Sequence, residues 1–168
     1  VRARVLGLGN DLLGDDGVGL EAARVATSTP RHPAIEVVAS SVGGLGLLEE
    51  LEGCDAAVVV DSIRTGEAPE GTVLVMRPED LPYGPRLRGA HDADLAAALE
   101  LGRRSGRSMP GRVFVVAVEV EDNLSFREGL TPPAREAARE AAKKALELAE
   151  GFCRETLGTG TSSRPWVV

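Results

Sequence analysis

Asp15, Asp16, Asp61 and His91 have the chemistry of a site and stand where a site could form. Asp15 and Asp16 are adjacent in VLGLGNDLLGDDGVGLEAARVA, Val5 to Ala26, where an apolar run broken by glycines becomes an amphipathic segment. Asp61 closes the run AAVVVD, and His91 precedes a segment of helical pattern. Two carboxylates and an imidazole make a donor set for a divalent cation of borderline softness. A cation would offset the repulsion between converging carboxylates; without one, a carboxyl of the pair would keep its proton to higher pH.

Each of these residues has a plainer alternative. Asp15 or Asp16 can N-cap the helix that follows. Asp61 can be a turn residue at a strand end. A lone histidine such as His91 is more often incidental than a ligand. His32, between Arg31 and Pro33, reads as a solvated loop residue. Cys54 reads as a small buried residue. Ser62 follows Asp61, but His91 is its only candidate base, so no triad is evident.

The first motif also invites a nucleotide-binding reading, which the residues oppose. A dinucleotide fingerprint needs GxGxxG and an acid ending the second strand. Here Gly7 and Gly9 are followed by Leu12, and the second strand ends in Ser40-Ser41. Two aspartates at a helix N-terminus would repel a pyrophosphate. Gly7 and Gly9 read better as residues that let the chain leave a sheet edge tightly.

Periodicity supplies the elements that must position these residues. Strands are expected over Arg4 to Leu8, Ile35 to Ser41, Ala56 to Asp61, Thr72 to Met76 and Val113 to Val120. Helices are expected over Gly17 to Thr27, Leu47 to Leu51, from Asp92 or Asp94 to about Arg104, and from Pro132-Pro133 to Phe152. In the last helix Ala134, Ala138, Ala141, Ala145, Leu148 and Phe152 form one apolar stripe. The order β-α-β-α-β-β-α-β-α predicts a three-layer α/β sandwich. Its five-stranded sheet should be mostly parallel, with Thr72 to Met76 as an antiparallel edge strand after a short link. Residues 1–157 form one domain in this reading, and 158–168 a loose tail. Sites in such sheets lie beyond the carboxyl ends of the strands, which is where Asp15, Asp16 and Asp61 fall.

Composition narrows the function classes. The chain has 168 residues, 43% hydrophobic and 27% charged, as a globular domain does. Aromatics are only 3%, so the core must come from Val, Leu, Ile and Ala. A net charge of −7 without a basic stripe argues against nucleic acid as a partner. The two cysteines lack CxxC spacing and fit a reducing cytoplasm. No apolar run reaches the roughly 20 residues of a membrane span, and VRARVLGLGN reads as a strand, not a signal peptide.

GLGNDLLGDDGVG resembles the opening signature of the nickel–iron hydrogenase maturation endopeptidases, G-x-G-N-x-L-x-x-D-[DE]-x-x-G. Gly7, Gly9, Asn10, Leu12, Asp15, Asp16 and Gly19 fall on its positions. VVVDSI, His91 before a helix, and GLTP at Gly129 to Pro132 continue the likeness in register. The resemblance implies that Asp16, Asp61 and His91 interact with a metal, with Asp16 and Asp61 as the catalytic carboxylates. It implies supporting places for Asn10 and Asp15, and a substrate-recognition loop at Gly43, Gly44 and Gly46. Many members carry D-G-G-T-x-G in that loop; this chain has Ser41-Val42-Gly43-Gly44-Leu45-Gly46, without the acid and the threonine.

The implied activity is removal of a C-terminal extension from a nickel-loaded hydrogenase large-subunit precursor. The precursor supplies the nickel. No tightly held catalytic zinc is expected, because HExxH spacing is absent. Cleavage would be metal-assisted, or run through Asp16 and Asp61 as an aspartic-type pair. The rival readings are a metal-dependent peptidase with another substrate and a nickel-recognition module that docks without cutting.

Overall fold

The computed structural model describes residues 1–81 and 95–155. Five strands run β1 Ala3–Leu8, β2 Ile35–Ser40, β3 Ala56–Ile63, β4 Val73–Met76 and β5 Arg112–Glu119. They form one sheet in the order β2-β1-β3-β5-β4. β1 pairs in parallel with β2 and β3, and β3 with β5. β4 is the antiparallel edge strand, but its partner is β5 and not β3, which precedes it in the chain.

The helices are α1 Val18–Thr27, α2 Leu47–Leu51, α3 Leu95–Arg104 and α4 Pro132–Glu155. They cover both faces of the sheet, giving the expected three layers. Strand alternation sorts the core into two clusters. Val5, Val58, Val60, Val116 and Val118 meet Val18 and Ala22 of α1 and the alanine stripe of α4. Leu6, Leu8, Val59, Ile63 and Val115 meet Leu47 and Leu51 of α2 and Leu95 and Leu99 of α3. Most of the core is aliphatic, as the composition requires. Among the described residues Phe114 and Phe152 are the aromatic exception, stacked with centroids 6.0 Å apart.

The expected α4 stripe is buried except at Leu148, which is partly exposed. Ala137, Ala142, Leu146 and Ala149 widen it. β3 runs two residues beyond the predicted end, which places Asp61 inside the strand, opposite Ala117 of β5. The tail 158–168 and the residues Asp92 and Asp94 lie outside the described residues.

The glycines of the first motif act through close approach. A Cβ on Gly7 would sit 2.1 Å from the Gly19 carbonyl oxygen and 2.7 Å from the Ala23 Cβ. A Cβ on Gly19 would sit 2.1 Å from the Leu8 oxygen and 2.4 Å from the Val60 oxygen. The first turn of α1 therefore lies directly on the backbones of β1 and β3. Gly9 does the same for the turn that precedes α1, where an added Cβ would meet the Asp16 carbonyl oxygen at 2.1 Å. This contact brings the Asp16 backbone down onto the sheet rim. Gly19→Ala forces a methyl group against two strand carbonyls and should destabilise by about 3 kcal/mol, read as a lower urea midpoint. Gly151→Ala, where an added Cβ meets nothing within 4 Å, should instead be neutral or stabilising by up to about 1 kcal/mol.

Candidate active site

Strand order reverses between β1 and β3: the chain winds one way to β2 and the other way to β5. The crevice beyond the carboxyl ends at such a switch point is the usual place for a site. Asp16 follows β1 in the 3-10 turn Gly14–Gly17, and Asp61 lies in the last turn-facing residues of β3. Both are buried, at 2% and 3% exposure. A buried carboxylate needs hydrogen-bond donors around it, and the surroundings supply them. The Ser62 backbone N–H donates to Asp61 Oδ1 at 2.8 Å, and the Ser62 hydroxyl donates to Asp16 Oδ1 at 2.8 Å. Asp16 and Asp61 are thus joined through a single residue.

Neither Asp15 nor Asp16 N-caps α1. The N-cap residue is Gly17, and no side chain bonds the helix start. The 3-10 turn takes up the chain between sheet and helix and turns both aspartates inward. Asp15, only 1% exposed, accepts from the Thr131 backbone N–H at 2.7 Å and from the Thr131 hydroxyl at 2.9 Å. The Arg127 guanidinium lies 3.0 Å from Oδ2, the oxygen that also accepts from the Thr131 hydroxyl. Thr131 in turn accepts from the Ala134 N–H at the start of α4. Asp15 therefore caps a distant helix by proxy and neutralises its own charge with Arg127. It holds the turn that carries Asp16.

The loop between β5 and α4 closes against the loop after β1. Arg127 N–H donates to the Leu12 carbonyl at 3.0 Å, and Gly14 N–H to the Arg127 carbonyl at 2.8 Å. Within this loop Asp122 Oδ1 accepts from the Leu124 and Ser125 amides. A hydrogen bond from the Ser125 side chain, followed by those two amides, lowers the Asp122 pKa to about 2. Asn123, 2% exposed, donates from Nδ2 to Ser62 Oγ at 3.2 Å. Glu119, at the end of β5, is buried and accepts from both Thr65 donors and the Gly66 N–H, which fixes the turn after β3.

The remaining predicted residues divide. Asn10 folds back locally: its Oδ1 accepts from the Leu12 N–H at 3.0 Å and its carbonyl from the Leu13 N–H. Gly43, Gly44 and Gly46 lie at the carboxyl end of β2, in and beside the 3-10 turn Gly44–Gly46, with Gly44 at φ 59°. Leu45 between them is exposed. His91 lies outside the described residues, and among the described ones no three His, Cys, Asp or Glu side chains gather as a metal site. Cys54 is buried, as expected, and burial pushes its thiol pKa up. His32 is exposed and accepts from the Ala34 N–H at Nδ1.

Sequence reading missed Thr131, Arg127, Glu119 and Asn123, and weighed Ser62 only as a nucleophile. One signal was available. Glu119 interrupts the apolar run VFVVAVEV, and a carboxylate there must either face the rim or be satisfied inside.

A three-layer α/β sandwich with buried carboxylates at its switch point defines a compact α/β enzyme frame. The hydrogenase maturation protease family model, HycI, matches residues 24–148, and the chain belongs to that family. It is a protease of hydrogenase maturation by that membership. The hydrogenase 2 maturation protease of Escherichia coli K12 is 28% identical over 137 residues, 79% of this chain and 80% of that protein. The hydrogenase expression/formation protein HoxM of Azotobacter vinelandii is 28% identical over 147 residues, 86% of this chain and 70% of HoxM. The hydrogenase maturating endopeptidase HybD from E. coli shares the fold with a TM-score of 0.77 at 24% identity, covering 90% of this chain and 94% of that one.

Two outcomes test the framework around the acids. Asp15→Ala strips the Thr131 N–H and the Arg127 guanidinium of their acceptor, leaves the Thr131 hydroxyl to Glu70 alone, and should cost about 2–4 kcal/mol by urea denaturation. Arg127→Ala, whose side chain is 46% exposed, should cost less. The lowered Asp122 pKa means that its ionised form is favoured by the fold. Its contribution is complete above the unfolded value near 4 and is lost as pH falls through about 2. The Leu124 and Ser125 amide resonances should titrate together with that lower midpoint.

Proposed function

We propose that this protease removes the C-terminal extension of a nickel-loaded hydrogenase large-subunit precursor, and that the nickel is part of the substrate. The observation that carries the reading is the joining of Asp16 and Asp61, both buried, at the rim of the switch point. Carboxylates suit a divalent cation, and two of them with one imidazole suit an ion already held by another protein. An incomplete set of Asp16 and Asp61, with His91 as the third donor, engages nickel only when the precursor brings it. Cleavage then depends on loading.

For hydrolysis a carboxylate takes a proton from water, the water oxygen attacks the scissile carbonyl, and the proton passes to the departing amide nitrogen. The metal-bearing precursor places its peptide bond beside the acids, so Asp16 or Asp61 serves as that base. An apolar collar supports a protein substrate. Leu12, Leu45, Leu124 and Phe126 are exposed on the loops after β1, β2 and β5, around the same rim. Phe126 is 86% exposed on a loop pinned at Arg127 and Asp122, so it is presented to solvent by a held backbone. Continuity with the acids makes the precursor the partner this collar meets. The glycine turn Gly44–Gly46 completes it.

Purified protein incubated with nickel-loaded and nickel-free precursor should cut only the loaded form. Equal cleavage of both, or of neither, overturns the reading. Asp16→Asn should lower the rate roughly 100-fold or more. Phe126→Ser should raise KM for the precursor several-fold and leave kcat unchanged.

A further inference from the structure

We infer that Ser62 is the positioning residue that sets the Asp16 carboxylate relative to Asp61, and that Asn123 fixes the direction of the Ser62 hydroxyl. The inference rests on the roles given above to Asp16 and Asp61.

Consecutive strand residues point to opposite faces. Val58 and Val60 face α1 and α4, while Ala57, Val59 and Ile63 face α2 and α3. Asp61 accordingly belongs to the α2/α3 face and Ser62 to the α1/α4 face, where the turn carrying Asp16 lies. The two acids approach the rim from different sides of the sheet, so something must span it. Ser62 does so with two separate donors: its main-chain N–H holds Asp61 Oδ1, and its hydroxyl holds Asp16 Oδ1.

A serine hydroxyl has one proton and two lone pairs. An amide NH2 can only donate, so the Asn123 contact at 3.2 Å occupies a lone pair of Ser62 Oγ. The single hydroxyl proton is left for Asp16. The reverse orientation of the Asn123 amide would set its oxygen in competition with a carboxylate for that proton, and the charge-assisted bond is the stronger. The relay therefore has one direction: Asn123 Nδ2–H to Ser62 Oγ–H to Asp16 Oδ1.

A purely structural role fits poorly. Ser62 is 1% exposed in a strand face otherwise lined by Ala56, Val58 and Val60, where an apolar residue would fill the space without burying a hydroxyl. Asn123 is buried as well, and its Oδ1 has no hydrogen-bond partner among the described residues. Leaving such an oxygen unpaired is unfavourable, so that amide is held in place for the bond it does make, the one to Ser62.

Ser62→Ala removes the hydroxyl and keeps the backbone N–H that serves Asp61. On nickel-loaded precursor, kcat should fall about 10- to 100-fold with KM nearly unchanged, the scale of a small misplacement of a reacting group. Asn123→Ala should give a smaller loss of the same kind, and the double variant should be no slower than Ser62→Ala alone. Wild-type kcat in Ser62→Ala, a loss confined to KM, or additive losses in the double variant would each overturn the inference. A second readout is independent of cleavage. In a crystal structure of Ser62→Ala, Asp16 should leave its single orientation while Asp61 keeps its own. An unmoved Asp16 overturns the positioning role, whereas a wild-type enzyme that cuts no precursor overturns the proposed function and leaves this structural test standing.

Discussion

The buried carboxylate of Asp15 holds together three pieces of chain that are remote in sequence. It receives Thr131 and Arg127 on one side and belongs to the turn after β1 on the other. A carboxylate 1% exposed is tolerable only with such a shell. Its demand for donors draws the start of α4 and the loop after β5 against the first turn. Asp16 is the next residue, so the same demand sets where the candidate catalytic acid begins. The Gly9 contact with the Asp16 carbonyl fixes the other end of that placement.

The sheet contributes a different constraint. A parallel strand buried on both faces offers its side chains alternately to two helix layers. Asp61 and Ser62 are neighbours in sequence and face opposite layers, which makes β3 the divider between the two acids as well as their connector. The glycines at positions 7 and 19 let α1 lie close enough for this connection to be short. Packing, backbone approach and polar satisfaction thus serve one place at the rim.

Much of the fold was legible because its signals are local. Ala56 to Asp61 is apolar at every position but the last, and the structure buries that whole strand on both faces. The alanine stripe of α4 repeats at helical spacing, and the structure buries it with additional alanines beside it. Boundaries were less legible: β3 continues through Asp61 because Ser62 and Ile63 find pairing partners on β5, which no local pattern announces. β4 was read correctly as an antiparallel edge strand, but its partner is a strand much later in the chain. The helix-cap reading of Asp15 and Asp16 failed because the Thr131 donors that claim Asp15 lie 116 residues away.

The sequence by itself determined the layer architecture, the family signature and the arrival of Asp16 and Asp61 at one edge of the sheet. Hydrophobic period and glycine spacing are properties of neighbouring residues, so they can be read along the chain. Tertiary structure alone decided which donors hold Asp15, and that Ser62 stands between the acids with Asn123 behind it. Those assignments depend on which buried donor meets which acceptor. That is settled only when β1, β3, β5 and the start of α4 have packed together.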